Sequence, residues 1–400
     1  MSNGIRLPFR PALALGCGVV ALLLLAVAAA AARGSAVRAG APEGSDLPGA
    51  VFLAALTAGF VLYLVALVLL LRRRCALVAV CVVAAAVQFA PLAGPLLLSR
   101  DVYAYWAYGR LGDAHDSNPY SSAPDRFAAD PAVNGMAPAW RGTPSVYGPV
   151  FTAASEGLAE TTGDSGETSA FVYRVLAAAG MLALVVLAAA AASRPSFAAA
   201  FVGWNPLLAL HFAGGGHNDV WAAVFLVGAL ALAVQGRASL SGASWAIAAG
   251  LKWTPLVLLP LSLLARRRDA VRTAACFAAV AAAICATSFG LFGTAWLDAL
   301  LPLAHRHAKY ALPTRLTELG LPGWLAVAPL LAAIPWLVRS ARRGRPRLGL
   351  TSILLLFASP WVLPWYAVWV APLAAVEDDG LAWVLALALS AYLLPDRVPL

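Results

Sequence analysis

The chain has 400 residues, 62% of them hydrophobic and only 12% charged, with a formal net charge of +9. A soluble domain carries about 25% charged residues, so a water-soluble globule is excluded and a bilayer is the solvent that fits. The positive balance does not point to nucleic acid, because the basic residues sit in short loops between apolar runs, where the positive-inside rule expects them.

Apolar stretches able to cross a ~30 Å hydrocarbon core occur at 12–32, 50–71, 76–98, 171–192, 197–213, 219–235, 270–293, 322–339, 349–375 and 380–395. Residues 12–32 are long for a signal-peptide core and open a series of spans, so an uncleaved first helix is expected. Between 240 and 265 two shorter apolar pieces flank Lys252–Pro255, which reads as a hairpin entering and leaving on one side. The expected fold is an all-α polytopic membrane protein, a single transmembrane domain of about 10–12 helices. The five cysteines (Cys17, Cys75, Cys81, Cys276 and Cys285) lie in or beside spans without a CxxC pair, as packing residues would.

Placing the N-terminus inside also places Arg72–Arg74, Arg194, Arg237, Arg266–Arg268 and the run from Arg339 to Arg347 inside. The acidic turn Glu377–Asp379 is then expected outside. Two outer segments are too long and polar to be connectors: a first extracytoplasmic loop over 99–170 and a second over 294–322.

The first loop opens on Asp101, at the end of an apolar span and followed by an aromatic stretch whose helical spacing puts Asp101, Tyr105 and Tyr108 on one face. A carboxylate there is either a helix N-cap or a general base acting on a lipid-borne substrate. Asn118-Pro119-Tyr120 and Tyr147-Gly148-Pro149 follow, with turn-forming residues among aromatics that offer faces to sugar rings. Gly214–Gly216 then lead into His217, Asn218 and Asp219 at the start of a span. Glycines allow close backbone approach, and a helix start favours an anion.

Only two lysines are present. Lys252 sits at the hairpin tip, where an ammonium calls for an anionic partner or snorkels to the interface. Lys309 lies with His305, Arg306 and His307 in the second loop, a basic patch on the outer side that either is solvated or holds a phosphate. Trp365 and Tyr366 belong to a doubly proline-broken aromatic run, which is either an interfacial belt or a ligand wall.

In this order the segments resemble the GT-C fold membrane glycosyltransferases, most nearly the actinobacterial polyprenol-phosphomannose-dependent α-1,6-mannosyltransferases, over roughly residues 95–375. The resemblance implies transfer of a sugar, mannose in that family, from a polyprenyl phosphate to a glycan or glycolipid, with inversion and Asp101 as base. Donor phosphate contacts are then expected from Lys252, Arg306, His307, Lys309 and His217. Sugar or acceptor contacts are expected from Tyr105, Tyr108, Asn118, Tyr120, Tyr147, Asn218, Asp219, Trp365 and Tyr366. The plasma membrane is the expected location, with membrane lipids as partners and no nucleic acid. No cofactor is implied. Several GT-C groups carry two adjacent carboxylates and Asp101 has no acidic neighbour, so the metal requirement stays open. A transporter or flippase for a lipid-linked sugar is the alternative. Against it, no inverted repeat is evident.

Overall fold

The structure, a computed structural model, describes residues 10–41, 47–73, 75–300, 307–396 and 398. Among these residues the regular structure is helical, apart from one isolated β-bridge between Arg38 and Leu97. Helices α1 (Arg10–Ala31), α2 (Leu47–Arg72) and α3 (Leu77–Phe89) come first. Four helices of the first loop follow: α4 (Asp101–Asp113), α5 (Pro131–Gly135), α6 (Pro138–Arg141) and α7 (Pro149–Thr162). The chain then continues through α8 (Gly166–Ala191), α9 (Pro195–Gly203), α10 (Pro206–Ala209), α11 (Asp219–Val234), α12 (Ala238–Leu251) and α13 (Leu259–Ala265). It closes with α14 (Arg267–Phe292), α15 (Leu312–Glu318), α16 (Ala328–Arg342), α17 (Leu348–Ala358), α18 (Ala371–Glu377) and α19 (Gly380–Leu393).

Among the described residues five helices are long and apolar enough to cross a membrane, or six if the pair bent by 49° around Asn205 is one span. Five shorter apolar helices pack among them. α14 and the helical stretch ending in α16 are apolar, yet only 11% and 17% of their apolar windows are buried. Val271, Leu291 and Leu331 point outward. Water would penalise such faces at roughly 25 cal/mol per Å², whereas hydrocarbon accepts them. The protein is an all-α polytopic membrane protein.

The bundle has two chemically different ends. At one, Arg194 lies beside Asp378, Arg347 pairs with Asp379, and Arg266 donates to the carbonyl of Ala233. At the other, Lys252 pairs with Asp219, Asn118 bonds the carbonyl of Phe292, and Arg315 reaches Tyr392. The hairpin reading of 240–265 agrees with this path: α12 runs from Arg237 toward Lys252, and α13 returns to Arg266.

Two expectations need correction. Residues 349–375 do not form one span. Pro360 and Pro364 cannot continue a helix, so α17 stops at Ala358, a 3-10 turn covers Pro364–Trp369, and α18 runs back. The entry and exit of this re-entrant unit meet, because the Glu377 carboxylate accepts the backbone N–H groups of Leu348 (2.6 Å) and Gly349 (2.8 Å). The acidic turn Glu377–Asp379 therefore lies at the arginine end, not at the opposite one.

The cysteines are unpaired, and they span exposed Cys17 to buried Cys75.

Glu377→Ala should strand the two amides at the start of α17. Each buried donor left unmet costs about 1–3 kcal/mol, so the melting temperature in detergent should drop. Glu377→Gln, which keeps one acceptor oxygen, should drop less. An Ala variant melting with the wild type would show that this cap carries no stability.

Candidate active site

The candidate site begins with an extended segment that cannot slide. Ala39 N–H donates to the carbonyl of Leu96 (2.9 Å), Leu98 N–H to Val37 (3.0 Å) and Leu97 N–H to Gly214 (3.1 Å). The segment delivers Asp101 into the first turn of α4, where its backbone N–H donates to the Ser99 hydroxyl oxygen at 3.2 Å. Arg100, not Asp101, occupies the N-cap position. The Asp101 carboxylate faces across the site, 3.4 Å from His217 Nδ1.

His217 is presented by an unusual turn. After α10 the backbone widens into a π-turn over Leu210–Gly214, a feature frequent at functional sites. Gly216 follows with φ of +71°, and a Cβ there would sit 2.4 Å from Val102 of α4. Only glycine allows both that conformation and that approach. Arg174, buried in α8, donates to the carbonyls of Ala213 (2.8 Å) and Pro91 (2.6 Å) and so pins the turn. His217 itself is 0% exposed and lies face to face with Trp365, ring centroids 3.5 Å apart. His211 is 6.0 Å from the His217 ring and 5.8 Å from Trp365.

Beside this lies a mostly buried ion pair, with the Asp219 side chain 2% and the Lys252 side chain 19% exposed. Lys252 donates to Asp219 Oδ1, which also accepts Trp369 Nε1 at 2.9 Å. The ammonium lies 4.9 Å from the Tyr366 ring and 5.8 Å from that of Trp369, within cation–π range. Asp101 lies within electrostatic reach of Lys252 and of Tyr366. The Tyr-Gly-Pro motif closes the wall. A Cβ on Gly148 would sit 2.2 Å from the carbonyl of Gly250, so glycine alone lets the start of α7 touch the end of α12 beside Lys252.

Tyr105 is buried, with its hydroxyl 3.4 Å from Asn218 Oδ1 and its ring edge-on to Tyr147, Phe151 and Tyr173. Tyr147 and Tyr108 meet at 6.0 Å, and the Tyr108 hydroxyl donates to the Thr143 carbonyl at 2.8 Å.

Other expected residues make hydrogen bonds to the frame. Asn118 donates to the carbonyl of Phe292 (2.8 Å) and accepts from Tyr120 N–H (3.0 Å). The Tyr120 hydroxyl donates to the Tyr147 carbonyl (2.8 Å) and meets Thr152 at 2.9 Å. Both tie the first loop to α14 and α7. In the second loop His307 and Lys309 are exposed. Lys309 lies 5.7 Å from the Tyr310 ring, while Ala308 N–H donates to Pro360, the turn preceding Trp365. Arg306 and His305 lie outside the described residues.

His211 and Arg174 do not stand out in the sequence, and Trp369 does so only as a member of the proline-broken aromatic run. Arg174 nonetheless carried a legible signal, being a lone guanidinium inside an apolar run. Trp369 stands one helical step beyond Trp365. Among the described residues no three His, Cys, Asp or Glu side chains gather as a metal site would require.

Residues 14–268 match the family model described as alpha-(1->6)-mannopyranosyltransferase, N-terminal domain. The chain belongs to this family. The matched part contains Asp101, His217, Asn218, Asp219 and Lys252, and ends before the Trp365–Trp369 turn. Alpha-(1->6)-mannopyranosyltransferase A of Mycobacterium tuberculosis (strain ATCC 25618 / H37Rv) is 27% identical over 330 residues, 70% of this chain and 63% of that protein. The protein of that name from Corynebacterium glutamicum is 28% identical over 169 residues, 41% of this chain and 34% of its own length. Alpha-(1->6)-mannopyranosyltransferase B of the same organism is 30% identical over 168 residues, covering 40% and 27%. The chain thus spans less than two thirds of these relatives. No solved structure matches.

The loop carrying Tyr108 is braced by a second ionic knot. Arg110 Nε bonds both oxygens of Asp130 (2.9 and 2.8 Å), its Nη1 reaches Asp164 (2.7 Å), and His115 Nε2 lies 2.8 Å from Asp130. Burial alone would raise the Asp130 pKa, but Arg110, the Ala132 amide and His115 together hold it below its ordinary value. A depressed carboxylate stabilises the fold fully above its unfolded pKa of about 3.9. That stability is lost as pH falls through the lower folded value. Acidification below about pH 4 should therefore destabilise the wild type more steeply than Asp130→Asn in pH-resolved melting curves. Parallel curves would show that Asp130 carries no such linkage.

Removing one partner of a buried pair leaves an uncompensated charge and costs about 3–5 kcal/mol. Asp219→Asn and Lys252→Met should each lower the melting temperature markedly. The double variant should lose less than the sum, and a strictly additive cycle would contradict the pairing.

Proposed function

We propose that this chain transfers a mannosyl unit from a polyprenyl-phosphate donor to a hydroxyl group of a glycan or glycolipid acceptor, with inversion and with Asp101 as general base. Family membership supports the sugar class. The observation that carries the residue assignment is the Asp101 carboxylate facing His217, within electrostatic reach of the Lys252–Asp219 pair at the aromatic end of an apolar bundle. That end is proposed to lie outside the plasma membrane, with the arginine end inside, following the charge bias of the loops.

In this mechanism the acceptor hydroxyl approaches the anomeric carbon from the face opposite the phosphate. Its proton passes to an Asp101 oxygen as its oxygen attacks. The bond between the anomeric carbon and the phosphate oxygen breaks through an oxocarbenium-like transition state, as in other glycosyl chemistry. Its electron pair leaves on the polyprenyl phosphate. Lys252 gives one N–H to Asp219 and has two more to offer, so it can donate to that phosphate as negative charge builds. His307, Lys309 and Arg306 are proposed to assist from the second loop.

His217 is fully buried beneath Trp365. Its proposed role is to position the Asp101 carboxylate, which lies 3.4 Å from its Nδ1, not to meet the phosphate directly. Tyr105, Tyr108 and Tyr147, with Asn218 and Tyr366, form the wall against which sugar and acceptor rest.

The test is turnover of purified protein with a panel of polyprenyl-phosphate sugars and mass analysis of the acceptor. Asp101→Asn, with an unchanged melting temperature, should reduce kcat about 10²–10⁴-fold with mannose as the donor sugar. Near wild-type turnover would remove Asp101 from the base role, and turnover only with another sugar would refute the mannose assignment.

A further inference from the structure

The end of the bundle opposite Asp101 carries two adjoining clefts that share Arg345 and Arg347. The larger, about 740 Å³, has apolar walls from Leu230, Val234 and Val376 and a charged mouth that includes Arg266. The smaller, about 210 Å³, is lined by Trp336, Arg339, Ser340 and Arg343 in addition to the shared arginines.

The acidic residues at this end are already engaged. Asp379 pairs with Arg347 at 2.6 Å and caps α19. Asp378 accepts from Ser193 (2.8 Å) and lies beside Arg194. Glu377 holds the two amides of α17. Among the described residues no ion pair involves Arg339, Arg343 or Arg345. Three exposed arginines therefore line a small cleft that has no carboxylate among its lining residues.

The arginine loop is built around one side chain. The Ser340 carbonyl accepts the amides of Arg343 (3.0 Å) and Arg345 (3.1 Å). The Ser340 hydroxyl donates to the Arg345 carbonyl (2.8 Å) and accepts from Arg347 Nε (3.2 Å). The Arg347 guanidinium then stacks over Trp336 at 4.4 Å. Arg347 and Asp378, which both line the larger cleft, hold left-handed backbone (φ of 47° and 52°), two of only four such non-glycine residues among those described. Strain of this kind persists where the surroundings enforce it and tends to mark functional sites.

The cleft also continues onto a lipid-facing surface. Trp336 is 44% exposed, and Leu331 and Ile334 on the same helix are 60% and 45% exposed. A ligand matching this surface carries an anion at one end and apolar chains at the other. We propose that the Arg339–Arg343–Arg345 cleft binds the phosphate of an anionic membrane phospholipid, whose acyl chains lie along Trp336 and the outer face of α16. Basic pockets between membrane helices recognise lipid headgroups through this combination of charge and apolar wall. The inference does not depend on the transferase reading.

The full chain, purified in neutral detergent, is titrated with dioleoylphosphatidylglycerol, dioleoylphosphatidylcholine or inorganic phosphate while its melting temperature is followed. Phosphatidylglycerol alone should raise it, saturably. Arg343→Gln/Arg345→Gln should need at least about tenfold more of that lipid, a change of about 1.4 kcal/mol, while Arg72→Gln/Arg73→Gln, basic residues at the end of α2, should respond as the wild type. Should the first double variant not fold, Arg339→Gln at an exposed position of the last turn of α16 reads the same outcome. Several results would overturn the proposal. They are no response to phosphatidylglycerol, an unchanged response in the Arg343/Arg345 or Arg339 variant, an equal loss in the Arg72/Arg73 variant, and equal efficacy of phosphatidylcholine or free phosphate.

Discussion

Charge inside an apolar bundle must find charge. A lone carboxylate or ammonium held away from water costs several kcal/mol, and this cost organises one end of the molecule. Lys252 and Asp219 come from elements 33 residues apart and meet because neither tolerates isolation. Asp101 stands beside this pair, a quarter exposed and 3.4 Å from Nδ1 of the buried His217. The helices that bring them together approach closely where only glycine fits, Gly148 against the backbone of Gly250 and Gly216 against the Val102 side chain.

The same constraint works differently at the opposite end. There the acidic turn neutralises Arg194 and Arg347 and caps two helices, which leaves the arginines after α16 in excess. The two ends thus hold opposite arrangements. One balances its ions in a buried network, and the other keeps an ordered surplus of cations against lipid. Between them the outward faces of α14 and α16 are apolar and require hydrocarbon around them.

Much of the site was legible because the residues that form it are expensive in a membrane. Asp101, His217, Asp219 and Lys252 stand out for that reason, and the helical spacing of the aromatics after Asp101 placed Tyr105 and Tyr108 correctly on its helix. Partner choice was not legible. Nothing local pairs Lys252 with Asp219 or Trp369, since the hairpin and the re-entrant turn must first fold. Asn118 and Tyr120 read as ligand contacts, and nothing local names the carbonyls of Phe292 and Tyr147 to which their polar atoms donate.

The 349–375 run misled for a clear reason. It is long and apolar enough to span, and its two prolines signal a break but not a reversal. The acidic turn after it suggested the outer face. Orientation, however, follows Lys and Arg and is little affected by Asp and Glu, and these acids are matched by arginines on their own side. What the unit does provide is the Trp365–Trp369 turn, which returns from the bundle interior to stack on His217 and bond Asp219.

The central claim is that Asp101 and the Lys252–Asp219 pair serve one donor site. An experimental structure with a polyprenyl-phosphate sugar bound tests it most directly. The account predicts the phosphate within hydrogen-bond reach of Lys252 Nζ, with the anomeric carbon between that phosphate and the Asp101 carboxylate. A phosphate lodged elsewhere in the bundle, with Lys252 still engaged only by Asp219, would contradict it.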